Sequence, residues 1–380
     1  MWKNHRWCIM MFKILNSVQP QATLMLYLTD VILVLYCAVL HFLRGSSTQD
    51  DYNSTQDDNV SVVFGIFTIV ILFIGGVSVN LFNFFRRESR LLKNQTLLKK
   101  AKKILMLFIP GQALLSWTLE WIKDPSSWSI NYWVATLRIF HTSVGSLVQA
   151  VFQTFIMIRL WWNITSYSED FTVMVVGSSV FAVHAVVGMC TYIWKEHYEE
   201  EHETIPITDF FFIFLSVSLN MCGRIVSMAM VAAVISWWFL IFVIAAPIIF
   251  NYIMCLCTTK PLCTGSVADI FFRFIMPLPI AALYAMTASK EKIATILTTV
   301  CWLGMSLPQI VKHHDTSIQW VAWAVPFVAQ VVAFSFILYK WSIFEITFTR
   351  FARILSSADS DKKVNVNKNN TNGYLENDYC

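Results

Sequence analysis

The sequence predicts an all-α fold, a polytopic transmembrane helix bundle of about eight spanning helices plus two short re-entrant ones. Three observations carry that expectation. Hydrophobic residues fill 56% of the 380 positions. Charged residues fill only 14%, against roughly a quarter in an ordinary soluble domain. The charges are also gathered into short stretches between long apolar runs, whereas a soluble protein spreads them over every surface helix.

Each apolar run can be placed by length, since a spanning helix needs about 20 mostly apolar residues. Runs of that kind occupy 22–43, 60–85, 133–158, 171–194, 208–234, 236–257, 267–287 and 318–340. Two shorter ones, 104–119 and 292–309, are interrupted by Pro110 with Gln112 and by Pro308 with Gln309. Short Pro-broken apolar segments suit re-entrant helices, provided that protein buries their free backbone groups.

Orientation follows from the loops. Residues 86–103 carry Arg86, Arg87, Arg90, Lys93, Lys99, Lys100, Lys102 and Lys103 against Glu88 alone, a cytoplasmic mark. The preceding 44–59 loop holds Asp50, Asp51, Asp57 and Asp58 and offers glycosylation sequons at Asn53 and Asn59, so it belongs outside. Met1 to Gln21 carries Lys3, Arg6 and Lys13 with no small-residue cleavage site after it. The first apolar run therefore reads as a signal anchor. The expected organisation is a cytoplasmic N-terminus over 1–21, a transmembrane domain over 22–340 and a cytoplasmic tail over 341–380, disordered after about 356, where the chain turns polar and Asn-rich. Both eight and ten spans satisfy this parity. The sequon at Asn163 favours eight and the acidic run Glu196–Glu203 favours ten; the shortness of the broken segments decides for eight.

Several function classes fall away. A net charge of +4 is too small and too localised for nucleic-acid binding. No nucleophile elbow, phosphate loop or kinase set is present, so no enzyme is expected. Most of the nine cysteines are single and embedded in apolar runs (Cys37, Cys190, Cys222, Cys301), as small core hydrophobes. Cys255, Cys257 and Cys263 lack the second pair that a metal site wants and suit packing or palmitoylation. His313-His314-Asp315 reads as solvated loop. No cofactor and no metal is expected.

Polar residues at bilayer depth are costly, and each calls for a partner or a purpose. In the third run Arg138, Thr142, Gly145, Gln149 and Gln153 are spaced four, three, four and four apart, which places them on one helical stripe flanked by His141 and Ser146. The fifth run repeats the device with Ser216, Asn220, Arg224 and Ser227. Asp30 lies in the first run, and Asp269 and Arg273 stand one turn apart in the seventh. For the uncharged residues, interhelical hydrogen bonds are the plain explanation. Asp30 and Arg224 call for more, as a salt bridge with each other or as part of a polar track for a charged headgroup.

Taken in order, these features resemble the XK-related family, the group that includes apoptotic phospholipid scramblases. The resemblance rests on Arg138-Ile139-Phe140-His141-Thr142 through Gln149-Ala150-Val151-Phe152-Gln153, Tyr27-Leu28-Thr29-Asp30, Arg224 with Trp237-Trp238, Cys255-Leu256-Cys257 and Phe272-Arg273-Phe274. It implies eight spans with re-entrant helices, cytoplasmic termini in the plasma membrane, and phospholipid exchange between leaflets that exposes phosphatidylserine. Its intramembrane polar residues would be Asp30, Arg138, His141, Gln149, Gln153, Asn220, Arg224 and Arg273. The chain departs from the family motif at His141, Gly145 and Val148, where the family has Glu, Glu and Pro, and at Val34. Expected partners are membrane phospholipids, a single-span or lipid-transfer protein, and a second copy in a homodimer. The alternatives are a non-transporting membrane partner and a chemoreceptor-like protein.

Overall fold

The computed structural model describes residues 2–47, 55–84, 96–125, 127–161, 169–201, 207–234 and 317–342. Among them every regular element is a helix and none is a strand. In chain order these are α1 (Trp2–Ser47), α2 (Thr55–Asn83), α3 (Leu97–Leu107), α4 (Gln112–Lys123), α5 (Trp128–His141), a five-residue π segment (Thr142–Ser146), α6 (Leu147–Trp161), α7 (Glu169–Glu201), α8 (Ile207–Val234) and α9 (Ser317–Tyr339). The expected spans at 236–257 and 267–287, the half-helix at 292–309 and nearly all of the tail lie outside the described residues.

Among the described residues, four helices are long and apolar enough to cross a membrane: Gln19–Leu43, Ser61–Asn83, Ser129–Ile158 and Phe211–Met230. Shorter apolar stretches run over Val175–Thr191 in α7 and Ala324–Tyr339 in α9. The Pro110-broken segment is a pair of helices, α3 and α4, bent by 99°, as a broken span or a re-entrant loop. Residues Met1–Tyr192 with Met228–Ile235 form one compact unit, and Ile193–Ser227 with Ser236–Cys380 form another.

In the first unit the third span is the axis. Its apolar window is 89% buried, against 33% and 28% for the first and second spans. The reason lies in its sequence: the polar stripe of the third span needs protein partners from several helices, while the first two offer lipid-compatible faces. Met25, Ile32, Val39 and Leu43 of α1 and Ile66, Val70, Phe73 and Ile74 of α2 are exposed accordingly. In a membrane, lipid covers such faces without penalty, so packing between helices depends on close contact and hydrogen bonds. Gly75 of α2 shows the close contact. A Cβ there would stand 2.8 Å from the Gly145 Cα in the π segment.

The bend between α3 and α4 frees backbone groups, and α2 satisfies them. The Asn80 carboxamide donates to Leu107 O and Ile109 O and accepts from Ala113 N at 2.9 Å. Gly111 turns the corner with φ 71°, a conformation that L side chains resist. A side chain at that position would also collide with Tyr27 of α1, whose hydroxyl donates to Pro110 O at 3.3 Å. One turn further along α2, Asn83 Oδ1 accepts from the indoles of Trp117 and Trp133, both at 3.0 Å.

In the second unit, α8 and α9 pack closely. A Cβ on Gly223 would come 2.9 Å from Pro326 O, Gln330 donates to Ser227 Oγ at 3.0 Å, and Lys340 pairs with Asp209 at 2.7 Å.

Candidate functional site

The polar stripe of the third span is the buried centre of the first unit. Arg138, His141, Gln149 and Gln153 are each no more than 2% exposed, as is Asp30 of α1. Every one of them meets a side chain or carbonyl from another helix. Arg138 donates to Thr23 Oγ1 of α1 at 3.0 Å. Gln149 donates to Thr68 O and Gln153 to Thr68 Oγ1 of α2, at 3.3 and 3.2 Å. His41 of α1 reaches Gln153 Oε1 at 3.4 Å.

Midway along the stripe these contacts gather into a cluster around one carboxylate oxygen. Asp30 Oδ2 accepts from Ser146 Oγ at 2.7 Å, from His141 Nε2 at 3.1 Å and stands 3.2 Å from His184 Nδ1 on α7. Ser146 Oγ is also 3.2 Å from His184 Nδ1. All four side chains are buried.

The π segment explains how one helix delivers two of them. His141 and Ser146 are five residues apart, which on an α-helix leaves them about 140° apart around the axis. An i→i+5 turn closes most of that angle. Thr142–Ser146 is such a turn, and both side chains face Asp30. Gly188 of α7 lies against Thr142, leaving no room for a side chain: a Cβ there would be 2.8 Å from Thr142 Oγ1. Such π turns occur mostly as single insertions and recur at functional sites.

A serine, a histidine and an aspartate in contact invite comparison with a hydrolytic triad, but the wiring differs. A triad places serine and aspartate at opposite ring nitrogens; here both meet His184 at Nδ1. Three atoms of the cluster, Asp30 Oδ1, His141 Nδ1 and His184 Nε2, are buried with no hydrogen-bond partner among the described residues.

Of the residues singled out from the sequence, the structure brings Asp30 and His141 together and joins Gln149 and Gln153 through Thr68. Asn220 and Arg224 are buried on α8, in the part of that helix belonging to the second unit. Arg273 and Asp269 lie outside the described residues. The described partners of Asp30 are two histidines and a serine. His184 is the residue that sequence reading missed. Its signal was available, an imidazole in the middle of an otherwise apolar run, but nothing in the spacing tied it to Asp30.

A second feature lies at the end of α2. A cavity of about 390 Å³ is lined by Asn80, Asn83, Lys99, Lys102, Lys103 and Gln112, among others. It sits beside α3, whose Leu97, Leu98 and Leu105 are exposed.

A comparison with known protein families finds none that matches the chain. A comparison with curated proteins likewise finds no significant match.

Proposed function

We propose that this chain is an eight-span membrane protein of the XK-related type, with both termini cytoplasmic, that exchanges phospholipids between leaflets at the plasma membrane. Headgroups would pass along the polar face of α5, the π segment and α6 while the acyl tails stay in lipid. The observation that carries the reading is the row from Arg138 to Gln153, a polar stripe along the middle of a helix long and apolar enough to cross a membrane. Charged and amide groups at that depth lower the desolvation barrier for a zwitterionic or anionic headgroup, at a cost in stability that a purely structural helix has no need to bear. The row is sealed by α1, α2 and α7, so exchange requires one of these helices to move aside.

That seal favours a second reading, a non-transporting membrane partner of a lipid-transfer or transport protein. In it the polar row is interhelical glue, with each hydrogen bond contributing on the order of 1 kcal/mol. The two readings separate in liposomes carrying a fluorescent lipid and a one-sided quencher. Exchange predicts quenching beyond the outer-leaflet share, slowed by Gln149→Leu with Gln153→Leu. Well-folded protein whose liposomes quench like protein-free ones supports the partner reading and refutes exchange.

A further inference from the structure

We propose that Asp30, His141 and His184 form a binding site for one divalent transition-metal ion of the zinc class, a staple joining α1, α5 and α7 at mid-membrane. This reading does not depend on lipid exchange. The three ligand atoms, Asp30 Oδ2, His141 Nε2 and His184 Nδ1, lie within 4.8 Å of one another. Zinc binds nitrogen and oxygen ligands at about 2.0–2.1 Å in tetrahedral sites, which sets neighbouring ligand atoms roughly 3.3 Å apart. The observed separations are 3.1 Å from Asp30 Oδ2 to His141, 3.2 Å to His184 and 2.7 Å to Ser146, with 3.2 Å between Ser146 and His184. Asp30 is therefore already at tetrahedral spacing from each histidine, the two imidazole nitrogens lie within 4.8 Å of each other and close on the ion when it binds, and Ser146 Oγ stands within 3.2 Å of two of the three ligands.

The chemistry of the donor set agrees. Two imidazoles and one carboxylate are a zinc set, with the fourth position left to a water or another oxygen, and imidazole nitrogen suits the first-row ions generally. A buried charge is ordinarily paired or coordinated to a metal. Both ion pairs described for Asp30 are with histidines, so a dication would supply the permanent positive charge that this carboxylate calls for. Binding uses the lone pairs of His141 Nε2 and His184 Nδ1. Each coordinated ring then carries its proton on its other nitrogen. The π segment is the backbone device that makes the site. It turns His141 and Ser146 to the same side, and Gly75 of α2 lets that helix close against Gly145 within it.

The test uses tag-free full-length protein in detergent, loaded with Zn²⁺, passed over chelating resin and analysed for bound metal by mass spectrometry. We expect one zinc per chain, retained in His313→Gln/His314→Gln and lost in Asp30→Asn and in His184→Gln. Cobalt in place of zinc should give the visible d–d bands of a four-coordinate nitrogen and oxygen site. Since His184→Gln could impair folding, His184→Cys provides a gain of signal: a thiolate in that position should add a sulfur-to-cobalt charge-transfer band. Zinc at the buffer level in the native protein, or equal zinc in the native and Asp30→Asn proteins, would overturn the proposal and leave a hydrogen-bonded cluster only. A cobalt spectrum like that of the aqua ion would overturn it as well.

Discussion

Asp30 holds three helices through one oxygen atom, and removing its charge is the most informative perturbation of the fold. Oδ2 accepts from Ser146 at 2.7 Å and from His141 at 3.1 Å, with His184 at 3.2 Å. Hydrogen bonds to charged groups contribute about 1.5–3 kcal/mol each, and part of that is offset by the cost of burying the carboxylate itself. Breaking a buried charged set by removing one member costs about 3–5 kcal/mol, and that is the loss expected for Asp30→Asn. His184→Gln removes one of the same contacts. Because the two residues share a hydrogen bond, the double variant should lose less than the sum, with an interaction energy of about 1–3 kcal/mol. Gln153→Leu serves as the control. Gln153 lies seven residues beyond Ser146, about 10 Å along the helix, and at that separation its loss should add to that of Asp30→Asn within about 0.5 kcal/mol. The measurement is denaturant unfolding in detergent micelles with a chelator present throughout, so that bound metal contributes nothing. Simple additivity of Asp30→Asn and His184→Gln would refute the shared-oxygen cluster.

Other expectations follow from the same contacts. Gly75→Ala should destabilise by about 1–3 kcal/mol, the usual range for overpacking, because its Cβ would meet Gly145 backbone at 2.8 Å; Gly145→Ala should be milder, since the nearest atoms there are 3.6–3.8 Å away, and equal losses in thermal unfolding would contradict the close approach. Asn80→Ala strips partners from Leu107 O, Ile109 O and Ala113 N, at about 1–3 kcal/mol per stranded group; Asn80→Asp keeps the acceptor for Ala113 but loses both donors, so limited proteolysis near residue 110 should quicken in both. His141→Glu sets a second carboxylate beside Asp30, and an unpartnered charge inside a membrane span costs about 2.5–3.5 kcal/mol. A lower unfolding midpoint is expected, and unchanged stability would show that the site accommodates two acids. For topology, an epitope at residue 55 should be reachable from outside intact cells, while epitopes at 95 and 365 should need permeabilisation; surface labelling at 95 would invert the map.

The expected spans at 22–43, 60–85, 133–158 and 208–234 each coincide with a helix long and apolar enough to cross a membrane. The break at Pro110 is a 99° bend. These features were legible because they are local. Hydrophobic length, helical periodicity and a proline that cannot continue the backbone hydrogen bonds are all written in neighbouring residues. The stripe from Arg138 to Gln153 was legible for the same reason, since its spacing alone puts it on one face.

What that face meets is a different kind of information. Ser146 read as a flanking residue and His184 as part of an apolar run, and nothing in the sequence tied either to Asp30. Asp30 and His184 are separated by 154 positions in the chain, and no periodicity spans such a gap. Their meeting depends on which helices pack side by side, and there Gly75 admits the Gly145 backbone while Gly188 admits the Thr142 side chain. The π turn is hidden in the same way. A helix adopts it when its neighbours fill the altered face, and here Asp30 and His184 do so. Sequence therefore determined the number of residues that can cross the membrane in each described span and which of them are polar. Tertiary structure decided that an aspartate, a serine and two histidines from three stretches of chain share one oxygen, because in a medium without water a buried carboxylate must draw its donors from whichever helices lie beside it.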